Sequence, residues 1–174
     1  FLSDLLKVNP SLTHQFSDVF NNNFKLITNS VLGTLNITEN DQYDLILSNP
    51  PYSVSGSGVL TKLINEEGRL KEFYQINGTG PEEKFLEWII NSIKPNRKAF
   101  VIIPDGILLR QHSDKLRKFI KDQCFIDGII SLPINTFYTT PKKTYILAVT
   151  KKKGANNNHR SIINQQDPVF TYIA

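Results

Sequence analysis

The chain has 174 residues, 40% of them hydrophobic, with 20 Lys/Arg against 16 Asp/Glu and a formal net charge of +4 at pH 7. That is enough apolar material to bury the core of one domain, which excludes a disordered polypeptide. The longest unbroken apolar run, residues 99–103, is far too short to span a bilayer, and the first residues carry no secretory pattern, so a cytoplasmic protein without membrane association is expected.

The charge is unevenly spread. Residues 1–92 carry 6 Lys/Arg and 11 Asp/Glu, whereas residues 93–153 carry 13 and 4. A polyanion would lie on the basic half, held by counterion release that is largely blind to sequence; a solvated lysine-rich surface is the plainer alternative. Cys124 is the only cysteine and sits between a basic helix and an apolar strand, which reads as a core thiol and leaves no intrachain disulfide or Cys-based metal site. His14, His112 and His159 share no ligand spacing, so no metal is expected. The chain begins at Phe1 and contains no methionine, which predicts a piece of a longer protein.

In chain order, residues 1–8 and 14–20 read as short helices split by Asn9-Pro10-Ser11, with Ser11 as a cap, and residues 24–28 read as a strand. Leu45, Ile46 and Leu47 read as a fully buried strand that stops on Asn49-Pro50-Pro51-Tyr52, because neither proline can donate to a sheet. "SVSGSG", residues 53–58, reads as a mobile lid, and residues 63–74 as helical. Pro81 opens the next helix with Glu82 and Glu83 in its first turn; Phe85, Leu86, Ile89, Ile90 and Ile93 form its apolar stripe, and Pro95 ends it. Residues 99–103 read as a buried strand and Asp105 as a turn former. Ser113 then caps a helix with Leu116, Phe119 and Ile120 inward and Lys115, Arg117, Lys118 and Lys121 outward. Residues 125–132 and 144–150 are the last two strands, joined closely enough for an antiparallel hairpin at the sheet's edge. "KKKGANNNHR", residues 151–160, reads as a linker.

The corner after the first of these strands carries the chemistry. Pro50 holds Asn49 extended and Pro51 does the same to Pro50, so an amide side chain and a backbone carbonyl are presented from a stiff loop at a strand's carboxyl end. Open α/β sheets bind ligands at that end. Two fixed acceptors beside the ring of Tyr52 suit a planar group that carries an NH2. As a bare four-residue match the corner reads equally well as a turn; the buried strand before it favours function.

On this strand and corner the sequence resembles the amino-methyltransferases, whose motif is Asp/Asn/Ser-Pro-Pro-Tyr/Phe after a buried strand. It is most similar to the N6-adenine DNA methyltransferases of the type I restriction–modification modification-subunit kind. The succession "KPNRKAFVIIPDGIL", "FIDGIISLPINTFY", "TTPKKTYILAVTKKK" extends the likeness through Lys153. The resemblance implies an α/β fold, a partial Rossmann-like methyltransferase with a mostly parallel sheet, helices on both faces and a C-terminal antiparallel hairpin. Residues 1–153 would be the C-terminal part of the catalytic domain, and residues 154–174 a linker and the start of a further segment. The sequence departs from the family pattern in one respect: no glycine-rich loop follows a strand upstream of Asn49.

The implied activity is methyl transfer from S-adenosylmethionine to N6 of a flipped adenine in DNA, as the modification component of a restriction–modification system. The Asn49 side-chain oxygen and the Pro50 carbonyl would each accept one N6 hydrogen, directing the nitrogen lone pair outward. Tyr52, following Pro51, offers a stacking face worth about 1–3 kcal/mol per base. The family places a second aromatic against the base where Phe137 stands, with Tyr138 as the fallback; packing of Phe137 in the core is as good a reading. Lys142 and Lys143 are candidates for phosphate contact, against the plain alternative of solvated turn lysines. Asp105 is a weaker candidate for ligand contact. Asn29 and Ser30 in "TNSVL" resemble a segment that contacts the cofactor's adenine, and Asn49 would face its methyl group. The partners implied are double-stranded DNA, a specificity subunit or domain, and a restriction subunit. Two alternatives remain open: a methyltransferase acting on another planar nitrogen, such as a protein glutamine or an RNA guanine, or an inactive remnant that binds nucleic acid or a partner.

Overall fold

The computed structural model describes Leu35 and residues 38–51, 57–66, 68–137, 141–154 and 164–174, all within the compact unit Val31–Ala174. The elements expected over residues 1–28 lie outside the described residues, as does most of the expected lid. The order is β1 (Tyr43–Ser48), α1 (Ser57–Glu66), α2 (Gly68–Phe73), α3 (Pro81–Ser92), β2 (Ile93–Pro104), α4 (Asp105–Leu109), a 3-10 turn (Gln111–Ser113), α5 (Asp114–Gln123), β3 (Cys124–Ser131), β4 (Thr144–Lys151) and β5 (Phe170–Ile173). Ser57 and Gly58, read as part of the lid, instead open α1.

The strands form one sheet in the order β1-β2-β4-β3-β5. β1 is parallel to β2 and β3 to β5, while β4 is antiparallel to both its neighbours, so β4 alone runs against the common direction. The hairpin is therefore antiparallel as expected, but it does not close an edge. α5 carries the chain past one strand position, and β4 returns into that gap, where both of its backbone edges find partners. Its Leu147, Ala148 and Val149 are buried accordingly. The segment expected to start beyond the linker supplies β5 on the outer side of β3. Gly128 makes that approach possible, since a Cβ there would stand 3.1 Å from the Phe170 carbonyl oxygen.

α3, α4 and α5 pack their apolar residues against Ile46, Ala99, Val101, Ile103, Leu147 and Val149, which share one face of the sheet, and Cys124 lies in the same core as expected. A second cluster joins α1 and α2 to α3 through Leu60, Ile64, Leu70, Phe73, Tyr74 and Phe85. β1 departs from the fully buried strand that its composition suggests. Ile46 faces the core, but Leu45 and Leu47 are 54% and 71% exposed on the opposite face. Leu47 lies opposite Phe100 in register, and Phe100 is exposed too.

The junction of α3 and β2 differs from its sequence reading. The helix ends at Ser92, and Ile93 already pairs with Tyr43. Between that pair and the next, Leu45 with Lys98, the register shifts; Lys94–Arg97 arch out around Asn96 at φ 60°. Pro95 sits in this arch, where no ladder donor is needed. Asp44 collects the cations of the arch, Lys94 at 2.8 Å and Arg97 at 3.1 Å. The Lys94 hydrogen bond is the main reason that its carboxyl is held below the usual range.

The last four carbonyls of α3, which a helix leaves unpaired, all find donors. The Ile93 N–H donates to Ile89, the Lys151 ammonium to Ile90 at 2.6 Å, the Asp41 N–H to Asn91 at 3.0 Å, and the Gln42 N–H to Ser92 at 2.7 Å. The helix end thus fixes both the entry into β1 and the exit of β4. Ser113 is not the side-chain cap predicted for α5: its hydroxyl donates to Glu83 Oε1 at 2.6 Å, a stronger charge-assisted partner than its own helix offers.

Candidate active site at the carboxyl edge of the sheet

Register places the predicted site residues. Ser48 pairs with Val101, Pro104 with Thr144 and Ser131 with Tyr145, so the carboxyl ends of β1, β2 and β3 lie along one edge. Asn49–Pro51, Asp105 and the loop after β3 all leave the sheet there. Between β1 and β3 stand β2 and β4, a span of roughly 14 Å at ~4.8 Å per strand. Asn49 and Phe137 therefore share an edge but belong to strands that are not neighbours.

Asn49 and Pro51 are exposed and Pro50 is buried, so the corner is anchored by its first proline. Tyr52, Tyr138, Asn29 and Ser30 lie outside the described residues. Phe137 is half-buried and forms a single β-bridge. It follows a turn in which Asn135 has φ 67° and the Thr136 N–H and hydroxyl both donate to the Pro133 carbonyl, at 3.3 and 2.7 Å. The ends of this loop are laced to their neighbours: the Leu132 N–H donates to Thr144, and the Asp105 N–H to Lys143, each at 3.0 Å. Asp105 opens α4. Lys142 is exposed; the Lys143 ammonium donates to the Leu132 carbonyl and stands 5.7 Å from the Tyr145 ring centroid.

Sequence reasoning missed a set of charged groups inside α3. Glu83, Lys84 and Glu87 are 4%, 0% and 0% exposed, although helical charges are usually solvated. All three reach the loop before their own helix. Glu87 accepts the N–H groups of Ile76 at 2.7 Å and Asn77 at 2.9 Å. Lys84 donates to the Gly78 carbonyl. Glu83 accepts from Gly80 and Thr79 at 3.3 Å each, besides Ser113. Burial pushes the Glu87 carboxyl up to about 7, against the pull of its N–H donors. Burial also raises Glu83, but its hydrogen bonds outweigh that and hold it below the ordinary value. Burial lowers the Lys84 ammonium. The signal was present as a pattern: Glu83 and Glu87 share a helix face with Leu86 and Ile90, directly after "QINGTG".

A family model described as N-6 DNA Methylase matches residues 10–171, nearly the whole chain. The chain belongs to the N-6 DNA methylase family. Among its curated relatives, the type I restriction enzyme MpnII methylase subunit of Mycoplasma pneumoniae is 29% identical over 161 residues, covering 85% of this chain and 27% of that protein. The EcoKI methylase subunit of Escherichia coli K12 is 26% identical over 129 residues, covering 74% of this chain and 22% of that one. The chain thus spans about a quarter of the length of the curated relatives it matches. The solved EcoKI M protein superposes with a TM-score of 0.56 at 23% identity, over 76% of this chain and 25% of that one. A Listeria monocytogenes protein assigned to the class I S-adenosylmethionine-dependent methyltransferases superposes with a TM-score of 0.57 at 24% identity, over 81% and 39%. At these identities the superpositions establish the fold, that of the class I methyltransferases.

Proposed function

We propose that this chain is the C-terminal part of a catalytic domain that transfers a methyl group from S-adenosylmethionine to N6 of a flipped adenine in DNA, as the modification component of a type I restriction–modification system. The observation that carries this reading is the stiff Asn49-Pro50 corner at the carboxyl end of β1, with Asn49 exposed and Pro50 buried, in a chain of the N-6 DNA methylase family. Its amide oxygen and the Pro50 carbonyl accept the two N6 hydrogens, which bends the nitrogen toward tetrahedral geometry and turns its lone pair to the methyl donor. No base is needed before transfer, because the methylated cation is acidic enough to lose its proton afterwards. Tyr52 stacks on the base and offsets part of the cost of flipping it, with Phe137 as the second ring.

S-adenosylmethionine supplies the electrophilic methyl group when bound. The described residues fit one side of it: Asn49 is exposed at the ligand edge, whereas β1 has no partner strand on its far side among the described residues. Asn29 and Ser30 are the proposed contacts to the cofactor's adenine. Lys142 and the basic face of residues 93–153 suit the DNA backbone. A specificity subunit or domain would supply sequence recognition, and a restriction subunit would complete the assembly.

The test is calorimetry with S-adenosylmethionine, followed by tritiated-methyl transfer to unmodified DNA, RNA and protein in parallel, using this chain within its complete reading frame. Label at adenine N6 of DNA is expected. Label in RNA or protein would move the reading to another planar nitrogen; no transfer to any of them would leave a binding module.

A further inference from the structure

We propose that Lys143 is a positioning residue for the methyl-transfer site, holding the loop 132–137 and with it Phe137 in place, rather than a ligand of DNA phosphate. The inference rests on the reading above, in which Asn49 and Phe137 serve one base. The corner leaves β1 and the loop that carries Phe137 leaves β3, so the distance between them is set through β2 and β4, which stand between those strands. Lys143 immediately precedes β4, at the edge where both segments emerge.

Lys143 is tied to both neighbours of β4. Its carbonyl accepts the Asp105 N–H at 3.0 Å, just past the carboxyl end of β2, and β2 pairs through Val101 with Ser48, directly before the corner. Its ammonium donates to the carbonyl of Leu132, the first residue after β3. The Leu132 N–H donates in turn to the Thr144 carbonyl at 3.0 Å, so both backbone groups of the residue that opens the loop are held by consecutive residues at the start of β4. The turn closes from there: the Thr136 N–H and hydroxyl both reach the Pro133 carbonyl, and Phe137 follows. The Lys143 ammonium also stands 5.7 Å from the Tyr145 ring centroid, within range of a cation–π attraction. Lys143 is half-buried in these contacts, whereas Lys142 beside it is exposed. Reaching a phosphate would strip the Leu132 carbonyl of this donor, and a charged donor is worth more than a neutral one.

The test is made in the intact enzyme on unmodified genomic DNA. Lys143→Met keeps the stem and removes the donor, while Lys143→Arg keeps a donor. Single-turnover methyl transfer by Lys143→Met should fall about tenfold, the worth of a charge-assisted hydrogen bond spent on orientation, and Lys143→Arg should recover most of it. The salt dependence of DNA affinity should keep its slope, whereas loss of a phosphate contact lowers the log–log slope by about 0.9. Hydrogen exchange across residues 132–137 should quicken in Lys143→Met without any substrate present. Added to Phe137→Ala, Lys143→Met should cost nothing more, because it acts through that ring. A shallower salt slope, unchanged exchange in the loop or additive losses in the double variant would overturn the role of Lys143 and leave the methyl-transfer reading standing. Full activity of Phe137→Ala would instead remove Phe137 from the site, and the positioning role with it.

Discussion

The carboxylate of Glu87 lies 2.9 Å from the backbone nitrogen of Asn77, ten residues earlier in the chain, and Glu87 itself is fully buried. Its pKa is raised from 4.5 to about 7 by burial. A folded-state value above the unfolded one means that the native state holds the proton more tightly. The stability contributed is fully present below pH ~4.5 and is lost as pH rises through about 7, by up to about 3 kcal/mol. Glu83 works in the opposite window: its pKa is depressed, so its contribution is present above 4.5 and lost as pH falls below that. Urea midpoints should therefore fall between pH 5 and 7.5 in the unaltered chain, and Glu87→Gln should flatten that slope. An unchanged slope in the variant would assign the pH dependence elsewhere.

Lys151 is 1% exposed and its ammonium closes the Ile90 carbonyl at 2.6 Å. Replacing it with Met keeps the stem and orphans the carbonyl, for an expected loss of about 1–3 kcal/mol. Lys151→Ala adds a cavity and should cost about 2–4 kcal/mol. Chemical denaturation measures both; if Met were neutral, the helix end would be satisfied by other means.

Asn49→Ala, made in the intact enzyme, is expected to abolish methyl transfer while leaving DNA affinity nearly unchanged, because a positioned acceptor acts mainly in the transition state. Single-turnover rates and gel-shift affinities separate the two. Equal losses in rate and binding would make Asn49 a binding residue.

Leu45 and Leu47 project from a strand that has no neighbour on its far side among the described strands, and both are exposed. Such an edge invites pairing with another chain. The 174-residue chain alone should self-associate on concentration and bind S-adenosylmethionine weakly or not at all. Leu47→Lys should reduce the association, read by light scattering; a monomer with micromolar cofactor affinity would contradict this expectation.

Local chemistry was legible in the sequence. Two prolines stop β1 wherever it lies, and Pro81 with the acidic first turn opens α3. Each of these depends on residues within a few positions of one another. Tertiary structure decided what depends on distant partners. β4 enters between β2 and β3 because the gap left by α5 offers donors and acceptors on both sides. Leu45 and Leu47 are exposed because exposure depends on what packs over a face, which apolar composition cannot report. Charge predicts a solvated side chain, yet Glu83, Lys84, Glu87 and Lys151 are buried because backbone groups of a loop, and of a helix end 61 residues away, take the place of water around them.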